Sequence, residues 1–145
     1  GKPRSVYAVG VISPSGTCDH VSTSLDYGDK KATAEASFRM PIGFPVTFTL
    51  RLLGDRGCVD YRFSAGNLGG QGGDHNALVL YLPGQTLQYP TVPQVDAFVA
   101  EIEYFVSCVL DGKKPAMASL EDARTVLEVN LAVRKSVATG QVVML

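Results

Sequence analysis

Four glycines fall within five positions of the run Asn67-Leu68-Gly69-Gly70-Gln71-Gly72-Gly73-Asp74-His75-Asn76. Glycine clusters of this kind can cradle a phosphate on bare backbone N–H groups. A dinucleotide fingerprint needs G-x-G-x-x-G between a strand and a helix, so that the helix N-terminus faces the pyrophosphate. Counting from Gly70 gives Gly70 and Gly72 but His75 in the third place, and counts from Gly69 or Gly66 fail as well. The run leads into "ALVLYLPG", which is strand-like, and no G-K-[ST] occurs anywhere in the chain. Neither a dinucleotide turn nor a P-loop is present. The glycine run reads as a flexible excursion between two strands.

Both histidines follow an aspartate, in Asp19-His20 and Asp74-His75, and each dipeptide is expected in a loop near a strand end. A metal site would need three or more ligands at fixed spacing, which two isolated dipeptides do not supply. Each His reads first as a polar loop residue, with acid–base work as the alternative. Cys18, Cys58 and Cys108 form no C-x-x-C pair, and neither Cys58 nor Cys108 has a nearby His. Their odd number speaks against a disulfide framework and for a reducing cytoplasm. Asp96, Glu101, Glu103, Glu121, Asp122 and Glu128 read as solvated helix faces; Glu101 and Glu103, two apart, diverge on a helix. No catalytic residue and no metal ligand is assigned.

The elements that would position these residues follow from periodicity. Period-two alternation marks strands around Val6–Ile12, Val21–Tyr27, Lys31–Met40, Val46–Leu52 and Val59–Phe63. Short turns at Gly28-Asp29 and "GDRG" join consecutive strands into an antiparallel meander, wet on one face and apolar on the other. The wet face would carry Asp26, Lys31, Glu35, Arg39, Arg51, Asp60 and Arg62. From Pro93 the period becomes 3.6, and Val95, Phe98, Val99, Ile102, Phe105, Val106, Val109 and Leu110 form one stripe. Gly112 suits the C-cap and Pro115 stops the helix. A second helix opens at Ser119 with Asp122 three residues on, a capping-box variant, and ends near Gly140. "QVVML" then reads as a short buried strand. The expected fold is α+β: a two-layer, largely antiparallel open sheet with two C-terminal helices on one face.

Length and charge bound the function. The chain has 145 residues, the size of one domain, and a net charge of −1. It offers no basic patch for nucleic acid or an anionic membrane. No apolar run approaches the roughly 20 residues of a membrane-spanning helix. The chain opens on Gly1, which fits a piece of something longer.

The last fifty residues carry a more specific pattern. Glu101 and Phe105 in an E-x-x-x-F helix, Gly112 and Pro115, Ala123 and Leu127, then Ser136, Thr139, Gly140, Gln141, Val143 and Leu145 resemble the C-terminal end of the glucose-fructose oxidoreductase and inositol dehydrogenase (Gfo/Idh/MocA) family. "GKPRSVYAVGV", Asp19-His20 and Gly54 with Gly57 resemble the sheet of the same domain. The resemblance implies that residues 1–145 are the substrate-binding and oligomerisation domain of an NAD(P)-dependent oxidoreductase acting on a sugar, polyol or related substrate. It also implies a partner, an N-terminal Rossmann domain with G-x-G-x-x-G and a catalytic E-K-P lysine, and a homo-oligomer formed through the sheet face. Neither of those two motifs, nor the family's D-x-x-x-H helix, is found in this sequence, so no catalytic or cofactor-binding residue carries over. The chain alone is expected to bind no cofactor; NAD or NADP belongs to the parent enzyme. Asp19 and His20, beside the family's substrate pocket, are the candidate substrate-binding residues. The rival reading is a stand-alone, sheet-mediated dimer acting as a structural or ligand-binding module.

Overall fold

The structure, a computed structural model, describes residues 1–65, 75–91, 93 and 95–145. Its order is β1 (Ser5–Ile12), β2 (Cys18–Asp26), β3 (Lys31–Ser37), β4 (Thr47–Gly54), β5 (Gly57–Ser64), β6 (His75–Tyr81), α1 (Ala97–Leu110), α2 (Leu120–Thr139) and β7 (Val143–Met144). The fold is α+β with antiparallel open sheets. The strands divide into two sheets, β3-β2-β1-β7 and β4-β5-β6, where the sequence suggested one meander. The physical reason lies in "PIGFP": Pro41 and Pro45 have no N–H to give a ladder, and the chain turns at Gly43 (φ +91°) between them. The chain forms two units, Gly1–Met40 with Tyr104–Leu145, and Pro41–Glu103.

In the first unit α2 lies across β1 and β7. Val6 and Ala8 on β1, Thr23 on β2, and Ala132 and Ser136 on α2 are buried. Small residues let the layers approach: a Cβ on Gly10 would stand 2.7 Å from the His20 carbonyl and 3.4 Å from Val137 Cγ2. Ser136, 0% exposed, joins three elements of the chain. Its Oγ accepts from the Ala8 N–H at 2.9 Å and donates to the Gln141 carbonyl at 2.7 Å. β7 pairs only with Ser5 and Val6, so the hydroxyl serves a β1 donor that lies beyond its reach.

α2 is held at both ends as its sequence suggests. Ser119 Oγ accepts from Asp122 N at 3.1 Å, while Asp122 Oδ2 accepts from Ser119 N at 3.2 Å. Gly140 takes the left-handed conformation (φ +66°) and donates to the Ser136 carbonyl. Along the helix Glu128 accepts from Arg124 at 2.9 Å and pairs with Lys2 at 2.8 Å, so it belongs to an ion-pair set and not to a site. The closing strand is shorter than expected, and Met144 is exposed.

α1 begins later than Pro93 suggested, because Asp96 is the cap: its Oδ1 accepts from Phe98 N and Val99 N. It ends in a Schellman arrangement, with Lys113 N donating to Cys108 O and Gly112 N to Val109 O. Tyr104 Oη then accepts two backbone donors of the following loop, from Ala116 (2.7 Å) and Met117 (3.0 Å). The apolar stripe is exposed along its length, Phe98 at 78%. In the second unit Phe48, Leu50 and Leu52 share one sheet face with Val59, Tyr61 and Phe63 by register, and the Phe48 and Phe63 rings stack at 6.0 Å. On the opposite face Arg51 Nε donates to Asp60 Oδ2 at 2.8 Å. The expected wet-face charges thus pair across strands, Arg51 with Asp60 and Lys31 with Asp26.

Two measurements check this account. Ser136→Ala leaves the buried Ala8 N–H without a partner and should lower unfolding free energy by about 1–3 kcal/mol in urea titration, with Ser136→Thr less tolerated than a surface change because the site is closed. The second concerns acid. The Ser119 hydroxyl, then its backbone N–H, hold the Asp122 carboxyl below its ordinary value; Lys2, then Arg124, do the same for Glu128, and Lys31, then the Gly28 N–H, for Asp26. A lowered folded-state pKa contributes stability above the unfolded value and loses it as pH falls through the folded one. Thermal stability should therefore fall below about pH 4, and Asp122→Asn should shallow that acid limb.

Candidate functional site

The candidate residues Asp19 and His20 lie in the opening of β2, within a strand and not in the loop that the sequence suggested. The β1–β2 hairpin that carries them is shaped by its tip. Ser13 N donates to the Thr17 carbonyl at 2.8 Å and Gly16 N to the Ser13 carbonyl at 2.9 Å. The hydroxyls of Ser13, Ser15 and Thr17 are within hydrogen-bond distance of one another, Ser13 to Thr17 at 2.6 Å.

A register change then sets Asp19 apart. Val11 pairs with His20 and Ile12 with Cys18, so Asp19 is an extra residue opposite no partner on β1. This is a β-bulge, a device that re-aims a side chain at a strand end. The Asp19 carboxylate accepts from Thr17 Oγ1 at 3.0 Å, and the Asp19 carbonyl accepts from Phe38 N at 2.8 Å, which ties the bulge to the end of β3. One carboxylate oxygen is thereby oriented and the other has lone pairs for a ligand's O–H.

His20 pairs with Val11 on β1 and Ser37 on β3. By alternation it shares a face with Ser22, Ser24 and Asp26. The opposite face of β2, with Val21, Thr23 and Leu25, lines an apolar groove of about 180 Å³ beside Val129 and Val133 of α2. The Cys18 thiol donates to the His20 carbonyl at 3.4 Å and is not aimed at an imidazole. The arrangement can accept and donate hydrogen bonds to hydroxyls. It contains no nucleophile–base pair.

Other sequence candidates fall elsewhere. Asp74 and the glycine run from Gly66 to Asp74 lie outside the described residues, and His75 opens β6. Cys18, Cys58 and Cys108 are free thiols, the last of them buried in α1. Among the described residues no group of three His, Cys, Asp or Glu could hold a metal ion, and no helix is long and apolar enough to cross a membrane. Sequence reasoning missed the bulge at Asp19 and the Thr17 bond. The T-x-D spacing of Thr17 and Asp19 was a visible signal for the second.

The fold is shared with solved oxidoreductases, in keeping with the resemblance in the C-terminal motifs. Among solved structures, the aldose-aldose oxidoreductase of Caulobacter crescentus, complexed with glycerol, superposes with a TM-score of 0.75 at 20% identity, over 99% of this chain and 42% of that one. The UDP-N-acetylglucosamine 3-dehydrogenase GnnA of Acidithiobacillus ferrooxidans gives a TM-score of 0.68 at 23% identity, over 97% of this chain and 42% of its own. At these identities the likeness is one of fold. The chain spans less than half the length of these structures. No family model and no curated protein matches it.

Proposed function

We propose that this chain is the substrate-binding and oligomerisation domain of an NAD(P)-dependent oxidoreductase that acts on a sugar, polyol or related molecule. The observation that carries the reading is the coverage: nearly all of this chain superposes on less than half of two oxidoreductases whose names specify an aldose and a UDP-sugar. The remainder of such an enzyme supplies a Rossmann domain, the cofactor and the catalytic lysine. Alone, the chain neither binds NAD(P) nor turns over substrate. The three free thiols favour the cytoplasm.

In this reading Asp19 and His20 line the substrate side. The Asp19 carboxylate, oriented by Thr17 on the bulge, accepts a substrate hydroxyl hydrogen. His20, one residue on, donates to or accepts from a second hydroxyl. Hydride transfer itself stays with the cofactor domain, and this chain contributes binding and orientation. The homo-oligomer forms through sheet surfaces, which present apolar residues such as Phe48, Leu50 and Leu52 to solvent.

Protein-observed NMR with glycerol, aldoses and inositols tests the assignment. Saturable shifts should centre on residues 17–20. Asp19→Asn, which removes the charge of the acceptor, should weaken binding by roughly 10- to 100-fold, the loss of a charge-assisted hydrogen bond of about 1.5–3 kcal/mol. Shifts confined to other residues would remove Asp19 and His20 from the site. Saturable micromolar NAD(P)H binding to the 145-residue chain would overturn the division of labour.

A further inference from the structure

The tip of the β1–β2 hairpin brings three hydroxyls into one triangle. Ser13 Oγ lies 2.8 Å from Ser15 Oγ and 2.6 Å from Thr17 Oγ1, and the last two are 3.1 Å apart. The backbone sets this geometry. Pro14 takes the second place of a turn closed by Gly16 N on the Ser13 carbonyl at 2.9 Å. Gly16 is left-handed (φ +82°), which returns the chain so that Ser13 N reaches the Thr17 carbonyl.

A hydroxyl has one proton and two lone pairs, and a carboxylate only accepts. Thr17 spends its proton on Asp19 Oδ1 at 3.0 Å, so towards the other two hydroxyls its oxygen can only accept. Ser13 is therefore the donor in its bond to Thr17. With that proton spent, Ser15 is the donor in its bond to Ser13. All three O–H bonds point one way, from Ser15 through Ser13 and Thr17 to Asp19, and donors in such a chain polarise one another. Among the described residues Thr17 is the one side chain bonded to this carboxylate.

We infer that Ser13 is a positioning residue for the Asp19 carboxylate. By donating to Thr17, it leaves the Thr17 hydroxyl the orientation that holds Asp19 Oδ1, and Oδ2 is then presented to a ligand's O–H. The bulge sets the Asp19 backbone, tied to β3 by the bond from Phe38 N at 2.8 Å, and the hydroxyl relay sets its side chain. Ser15, the outermost donor, acts on Asp19 only through Ser13. The role in binding rests on Asp19 being the hydroxyl acceptor proposed for the substrate, whereas the relay itself needs no ligand.

NMR on the 145-residue chain reads the relay in two ways. Hα–Hβ couplings report whether the Asp19 side chain keeps one χ1 rotamer. It should keep one in the unaltered chain, average over several in Ser13→Ala and Thr17→Val, and keep one in Ser13→Thr and Thr17→Ser, where the hydroxyl remains. Amide shifts along β1 and β2 should stay in place throughout, since the backbone bonds of the tip are untouched. In glycerol titrations each hydroxyl deletion should weaken binding roughly 2- to 10-fold, the worth of one neutral hydrogen bond. Because Ser13 acts through Thr17, adding Ser13→Ala to Thr17→Val should change binding by less than about twofold. Glycerol binding unmoved by Asp19→Asn would remove the substrate role from Asp19 and with it the positioning role in binding, while the rotamer measurement still decides the relay. The relay is overturned by a χ1 already averaged in the unaltered chain, by a single rotamer that survives Ser13→Ala, or by losses from the two deletions that add in full.

Discussion

A buried hydroxyl holds the first unit together. Ser136 sits at full burial on the last turns of α2, and its oxygen ties the middle of β1 to the turn that follows the helix. The bond fixes where α2 crosses the sheet, because Ala8 N can meet it in only one placement. Gly10 on the same strand allows the close approach: a Cβ there would stand 3.4 Å from Val137 Cγ2 of the helix. The return of the chain through Gly140 and Gln141 into β7 follows from the same contact, as does the position of Leu145 N, which donates to the Arg4 carbonyl. Replacing such a group costs more than one hydrogen bond, since the donor it leaves behind is sealed from water.

How much of this was legible in the sequence depended on how local the signal was. The cap of α2 was visible in Ser119 and Asp122, because a capping box is a spacing rule between neighbours. The turn at Gly28 and the left-handed Gly112 and Gly140 were visible for the same reason. The charge pairing of Arg51 with Asp60 was not, because register is a long-range property and only the residue types were in view. The division into two sheets was hidden as well: alternation suggested one continuous meander, while the missing N–H groups of Pro41 and Pro45 end the ladder. The start of α1 moved from Pro93 to Asp96 because two signals competed and the side-chain acceptor won.

At the candidate site the residue types were legible and the geometry was not. Asp19-His20 stood out as an acid–histidine pair, but a bulge depends on the strand opposite. The shift between Val11 and Ile12 could be found only once β1 was in register with β2. The bulge is what frees the Asp19 side chain from simple alternation and brings the Thr17 hydroxyl within 3.0 Å of its carboxylate. Local sequence thus named the donors and acceptors, and tertiary pairing decided which of them could face a ligand.

The central claim is that this chain is one half of a two-domain oxidoreductase. The most direct measurement is to sequence the coding DNA upstream of the Gly1 codon over roughly 200 codons, the span of one further domain. The account predicts an in-frame strand–turn–helix with G-x-G-x-x-G, followed by an E-K-P segment. An in-frame stop with a start codon beside Gly1 would contradict it, and the chain would then have to be understood as a binding or structural module made on its own.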